Sequence, residues 1–367
     1  MQKQEIVSSF QMSMLFLAFL TGSSIVNIPA PLTGAARNGA WISVLLAAAM
    51  GGLLLFGVLY LHRKFPGMTF IQYGRQTLGK WPMAMISIPF LLTTFSMFSS
   101  ILVDIGGFFS STMMVDTPSF IVQTLFIVLS ALTARAGIEV MARMFVVLIV
   151  LMYGAVIVVL VLVAPHYHPE YLLPVIPEGI KPVLHGAYII YGFPFTEITL
   201  ISMLLPFIRK EDAGTTGKYM LYAIVICSVV LVAAVICSIM AFGPLSGIFK
   251  FSVFRLARMI QIGEILERVE SMIGFSLIAG SYMKATIVLF ILKTALTQLF
   301  NLQDDRILTY PAALFGLLLS ITSYKNEVGF LETSLIVWPL LSNIMFTVPL
   351  ILIMVVASFR RQKPKGG

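Results

Sequence analysis

Along this chain apolar residues come in long, nearly unbroken runs, not in the alternating or one-faced patterns of elements that keep a wet side. Runs bounded by charge, glycine or proline cover 8–36, 41–62, 82–110, 118–136, 142–163, 181–207, 218–242, 264–300, 310–324 and 334–358. At 1.5 Å rise per residue, most of them can cross the roughly 30 Å of bilayer hydrocarbon. The stretch 117–163 is interrupted by Arg135, Glu139 and Arg143 and is too long for one crossing, which places a turn at Ala136–Gly137. The pattern predicts an all-α polytopic membrane protein with about ten transmembrane helices, a single integral-membrane domain over 1–367, and no soluble domain large enough to fold alone.

Composition agrees. Of 367 residues 59% are hydrophobic and 11% charged, against roughly half apolar and a quarter charged in a soluble domain. The net charge of +8 comes from cations clustered between the runs. They read as topology determinants, not as a nucleic-acid stripe. Lys3 followed by apolar residues from Phe10 resembles a signal peptide, but no clean cleavage pattern follows and many comparable runs do. The first run is therefore read as a membrane helix. Cys227 and Cys237 lie about 15 Å apart on one expected helix, too far to bridge.

Lysine and arginine set the orientation. One side carries about fifteen, among them Lys3, Arg63, Lys64, Arg75, Lys80 and a basic tail from Arg360. The other carries about seven, including Arg37, Lys181, Lys250 and Lys325. The positive-inside rule puts both termini in the cytoplasm, as an even number of crossings requires. The outward segment 243–263 carries Lys250, Arg255 and Arg258 among Phe and Leu, which predicts an amphipathic helix lying on the headgroups. A docking or gating element is the alternative.

Ten runs divide into two halves of five, approximately 8–163 and 181–358. Run one contains Thr21-Gly22-Ser23-Ser24 near its middle, and run six contains Tyr191-Gly192-Phe193-Pro194 at the corresponding place. Glycine and proline both disfavour a continuous helix. Matched interruptions in two halves point to the binding site of an inverted-repeat transporter fold. Unwinding exposes backbone groups that hydrocarbon penalises, so a ligand, ion or water is expected to satisfy them. The half-helix starting near Ser23 would offer N–H groups to a carboxylate.

Charges at membrane depth are costly and mark function by default. Asp104, Glu197, Lys284 and Lys293 stand out. Lys284 is expected to reach the central cavity as a counter-charge for a ligand carboxylate, or as a fixed substitute for a transported cation. Asp104 is its possible partner and a candidate for proton coupling, with Glu197 and Lys284 itself. Glu197 can also anchor a half-helix start, and Lys293 is expected to snorkel to the cytoplasmic surface. Glu264, Glu267, Arg268 and Glu270 suit the first turn of run eight, with Glu264–Arg268 at i,i+4 spacing. Metal-ligand spacing, an HExxH motif and paired aspartates are absent, so no catalytic site, metal or cofactor is expected.

Several stretches carry a family likeness. They are Gly22-Ser23-Ser24-Ile25-Val26-Asn27-Ile28-Pro29, Leu78-Gly79-Lys80-Trp81, Leu204-Leu205-Pro206-Phe207 and Glu267-Arg268-Val269-Glu270-Ser271. In this order and spacing the chain resembles the B subunit of GerA-type spore germinant receptors, a family similar in fold to the amino acid/polyamine/organocation permeases. The resemblance implies a five-plus-five inverted repeat of LeuT-like form with helices one and six broken. It implies a complex with a larger A subunit and a lipoprotein C subunit in the spore inner membrane. Carried over by position, the ligand carboxylate meets Gly22, Ser23 and Ser24, while Met97, Tyr191, Gly192, Phe193, Phe195 and Lys284 line the rest. Lys284 stands where a small hydroxyl residue is expected, which favours a germinant other than a simple neutral amino acid such as alanine.

Two functions compete at this point. One is a receptor subunit that binds a small nutrient, such as an amino acid, and triggers spore germination. The other is a self-sufficient secondary transporter of amino acids coupled to protons or sodium. Ending after about ten runs, with motifs nearer the receptor subunits, favours the first; a mid-membrane acid such as Asp104 suits the second.

Overall fold

The computed structural model describes residues 5–260, 268–324 and 327–359, the side chains of 327 and 328 excepted. Lys3, Glu264, Glu267, Lys325 and the basic tail from Arg360 lie outside them. Ser8 starts the first helix with a capping box closed by Gln11, and α1 then runs over Ser9–Thr21. Gly22, at φ +35°, stops it; that backbone region suits a residue without Cβ. The crossing continues as α2 (Ser24–Asn27) and α3 (Pro29–Ala36). A turn at Arg37, φ +53°, leads into α4 (Ala40–Lys64).

Between the second and third crossings lies α5 (Phe70–Leu78), opened by a Thr69–Gln72 capping box. Gln72, Arg75 and Gln76 keep it short and mixed, so it carries no long apolar run. Three crossings complete the first half: α6 (Lys80–Phe108), α7 (Ser119–Ala136) and α8 (Ile138–Leu162). Gly137, at φ +102°, makes the turn expected between the last two.

The second half repeats the first. α9 (Ile180–Ile190) ends in an irregular segment, Tyr191–Phe195, where Phe193 is extended, and the crossing resumes as the short α10 (Ile198–Ile201). Then come α11 (Thr216–Phe242), the outer helix α12 (Ser252–Arg258), α13 (Glu270–Phe300) and α14 (Thr309–Thr322). The last crossing is assembled from α15 (Glu327–Glu332), α16 (Trp338–Ser342) and α17 (Val348–Phe359). Eight stretches among the described residues are long and apolar enough to span a membrane. With the shorter α14 and the broken segment α9–α10, the described residues make ten crossings. The fold is an all-α, LeuT-like membrane bundle with the first and sixth crossings broken.

The apolar windows of the first crossing and of α13 are each 83% buried, against 28% for the last crossing. The first crossing and α13 therefore form the middle of the bundle, and the outer helices face lipid. α13 packs on α6 and α8, and α1 packs on α8 and α11. A Cβ built on Gly280 of α13 would lie 2.0 Å from the Gly22 carbonyl oxygen, so only glycine permits this approach.

On the face that carries Glu5, the N-terminal segment is pinned down. Val7 N–H donates to Phe207 O (2.9 Å) and Arg209 N–H donates to Val7 O (3.0 Å), forming an isolated parallel bridge between Val7 and Ile208. The Ile138 N–H donates to Glu5 (2.8 Å), and the Ile6 N–H donates to Glu139 (3.0 Å).

Two expectations need correction. The outer segment does form a helix, but Val253, Phe254, Leu256 and Ala257 of α12 are buried against α13 and α2. Its apolar face covers protein, not headgroups. Lys293 does not end in water: its side chain is buried and pairs with Asp305 at 3.0 Å.

Candidate functional site

Each break exposes carbonyls, and nearby hydroxyls take up several of them. Ser24 Oγ donates to the Thr21 carbonyl (2.5 Å) and Leu20 carbonyl (3.2 Å). At the second break the Gly192 carbonyl accepts from Thr196 (2.9 Å) and Ser342 (3.3 Å). These protein groups do part of what was expected of a ligand, ion or water. Serine and threonine at a break can hold it open without a guest.

A cavity of about 330 Å³ lies between the two breaks and runs to the connectors on the face opposite Glu5. Of the nine ligand-site residues expected from the sequence, Ser23, Met97, Phe193 and Lys284 line it, and Asp104 and Glu197 join them. The other five do not. Gly22 and Ser24 lie behind Ser23, in the backbone of the break. Gly192 packs on Pro339, where a Cβ would meet the proline Cα at 2.5 Å. Phe195 is fully buried against Gly51 of α4, and Tyr191, also buried, lies outside the lining. The bend at Phe193–Pro194 turns alternate side chains away from each other, which sequence spacing could not show.

The charges sort into two groups. Lys284 is fully buried, and its Nζ lies 2.6 Å from Glu197 Oε2. The same ammonium sits 4.1 Å from the Phe193 ring centroid and 5.3 Å from that of Phe19. Its stem passes so close to Gly22 that a Cβ there would fall 2.6 Å from Lys284 Cδ. Glu197 makes no capping bond to α10; its carboxylate turns to Lys284 because an unpaired buried ammonium is the more expensive neighbour. Asp104 lines the same cavity from α6, and the Asn27 side-chain amide donates to it.

The sequence reading did not place most of the lining at the site, among them Asn27, Ser100, Tyr324 and Trp338. Ser100 and Tyr324 are hydrogen-bonded to each other at 3.1 Å, and Tyr324 packs edge-on against Phe330. Asn27 lay within the motif that carried the family likeness, one helical turn beyond Ser23. An amide there, opposite an aspartate in a paired crossing, was the available signal.

The family model described as spore germination protein matches residues 6–328. The chain is 30% identical to spore germination protein KB of Bacillus subtilis (strain 168), over 98% of this chain and 97% of that one. It is 24% identical to spore germination protein YndE of the same organism, over 56% of each. Among solved structures, a substrate-bound, outward-open Na+-coupled sialic acid symporter aligns with a TM-score of 0.72 at 12% identity, covering 95% of this chain and 79% of that one. MhsT in complex with L-phenylalanine aligns with a TM-score of 0.71 at 15% identity, covering 97% and 89%. These likenesses extend the fold described above to proteins of quite different sequence.

Proposed function

From the premise that this chain belongs to the spore germination protein family, we propose that it is the nutrient-binding B-type subunit of a germinant receptor. It binds a small nutrient, an amino acid or a related molecule, in the mid-membrane cavity and thereby triggers germination. The observation that carries this reading is the cavity itself, enclosed by both broken crossings and lined by Ser23, Phe193, Asp104 and Lys284. At about 330 Å³ it is at the small end of ligand pockets, the right size for one small nutrient. In this reading the subunit works with a larger A subunit and a lipoprotein C subunit in the spore inner membrane, with both termini in the cytoplasm, as the excess of cations on that side supports.

A second reading, a proton- or sodium-coupled amino acid transporter, is favoured by one observation: the buried carboxylate of Asp104 at the cavity wall. The two separate on a nutrient screen of spores with and without the gene, scored by dipicolinic acid release. A nutrient response lost only in the deletion supports the receptor. Normal germination on every nutrient, together with uptake of labelled amino acid by proteoliposomes of this chain alone, supports the transporter.

A further inference from the structure

Four charged side chains line the cavity: Asp104, Glu197, Lys250 and Lys284. Glu197 and Lys284 are consumed by each other at 2.6 Å. Neither presents an uncompensated charge to a guest, so the carboxylate counter-charge expected of Lys284 is already taken. Lys250 enters from the outer connector ahead of α12 and borders the mouth.

Asp104 is placed differently. It is only 8% exposed, and the donors on its carboxylate are neutral, the Asn27 amide and the Ser23 hydroxyl. Among the described residues, no lysine or arginine makes an ion pair with it. Neutral donors orient a carboxylate but do not cancel its charge; Lys250 and Lys284 attract it at longer range, and a buried charge with no direct counter-charge is disfavoured. Asp104 lines the cavity, whose walls also include Met97, Ile101, Phe193 and Trp338. Apolar and aromatic walls around one carboxylate suit a compact organic cation, which gains both the charge-assisted hydrogen bond and the ring faces.

We propose that Asp104, oriented by Asn27, is the anchor for a ligand ammonium group, so that the nutrient is an amine-bearing small molecule such as an amino acid with an apolar side chain. This rests on the cavity being the nutrient site, as proposed above. The ligand's ammonium supplies a direct ion pair to Asp104, beyond the longer-range attraction of Lys250 and Lys284, and its apolar part lies against Phe193 and Trp338. Asp104 then serves ligand recognition instead of ion coupling.

The test uses the full-length chain purified in detergent, with thermal unfolding as readout. The probes are the twenty L-amino acids, their N-acetyl derivatives, D-glucose, and sodium chloride against choline chloride. At least one free amino acid is expected to raise the unfolding temperature with saturation. Its N-acetyl derivative, which lacks the ammonium, is expected to need roughly tenfold more or to fail, since a charge-assisted bond is worth about that factor. Asp104→Asn is expected to weaken the same amino acid by roughly tenfold or more. The N-acetyl comparison uses the natural chain, so it decides the matter even if that variant does not fold. Equal stabilisation by free and N-acetylated forms, an unchanged dose curve in Asp104→Asn, or stabilisation by glucose or sodium alone overturns the ammonium anchor while leaving a ligand cavity in place. Stabilisation by none of the probes overturns the nutrient site itself.

Discussion

Lys284 Nζ and Glu197 Oε2 lie 2.6 Å apart with both side chains withdrawn from the surface, joining the middle of α13 to the short segment that follows the break in the sixth crossing. If the cavity holds the nutrient as proposed, this pair narrows what it can recognise, because it removes one cation and one anion from the set that a ligand could meet. It also makes the two breaks mechanically dependent: the lysine stem rests on Gly22 of the first break, and its head is held by the second.

Removing one partner of this pair is expected to be far worse than removing both. Lys284→Met or Glu197→Gln alone leaves a buried group uncompensated and should cost about 3–5 kcal/mol. The double substitution should recover most of that loss, because it leaves no buried charge uncompensated. Unfolding of the four forms in detergent gives the cycle directly; additive losses would contradict the pairing. The exposed pair Arg37–Glu178, at 3.3 Å, is the natural contrast. Glu178→Gln should cost at most about 1 kcal/mol.

Close backbone packing at the first break makes a second prediction. Gly280→Ala would put a Cβ 2.0 Å from the Gly22 oxygen, a distance that only a shift of α13 can relieve. Its yield of folded protein in membranes should fall severalfold. Gly154→Ala on α8 meets nothing within 4 Å. Relief of a helix-interior glycine there should leave stability unchanged or raise it by up to about 1 kcal/mol. Size-exclusion profiles of the two variants compare them; equal behaviour would contradict the glycine contact.

A third prediction concerns the face carrying Glu5. The Ile138 and Ile6 amides donate to Glu5 and Glu139, and Val7 bridges Ile208 just beyond the end of the sixth crossing. Glu5→Ala together with Glu139→Ala should loosen this closure. A cysteine introduced at Ser202, which is buried between this closure and the sixth-crossing break, should then be labelled faster by a small thiol reagent. An unchanged rate would mean that the segment does not close this face.

Most of the architecture was legible because hydrocarbon imposes a single rule on every crossing. Long apolar runs gave ten crossings, and Gly137 marked the turn between the fourth and fifth. Gly22 and Pro194 marked the two breaks. The site was legible only in part. Ser23, Met97, Phe193, Asp104, Glu197 and Lys284 all reach one cavity, but the sequence could not show that Lys284 and Glu197 pair with each other, since 87 residues separate them. Nor could it orient residues across a bend: Phe195, two positions beyond Phe193, turns into α4. The short α5 lacks a long apolar run, although its Thr69–Gln72 capping box is a local signal, and the inward face of α12 depends on neighbours that no local pattern records.

Ligand protection of Ser100→Cys tests the central claim, that the germination nutrient sits between the two breaks, most directly. Ser100 lines the cavity, and Cys227 and Cys237 are free thiols, so the background form carries alanine at both. Labelling of the introduced cysteine by a membrane-impermeant thiol reagent would be followed with and without the nutrient to which the intact spores respond. The account predicts a saturable slowing of labelling over the concentration range that triggers germination. Labelling that stays constant while the same spores still germinate would contradict it.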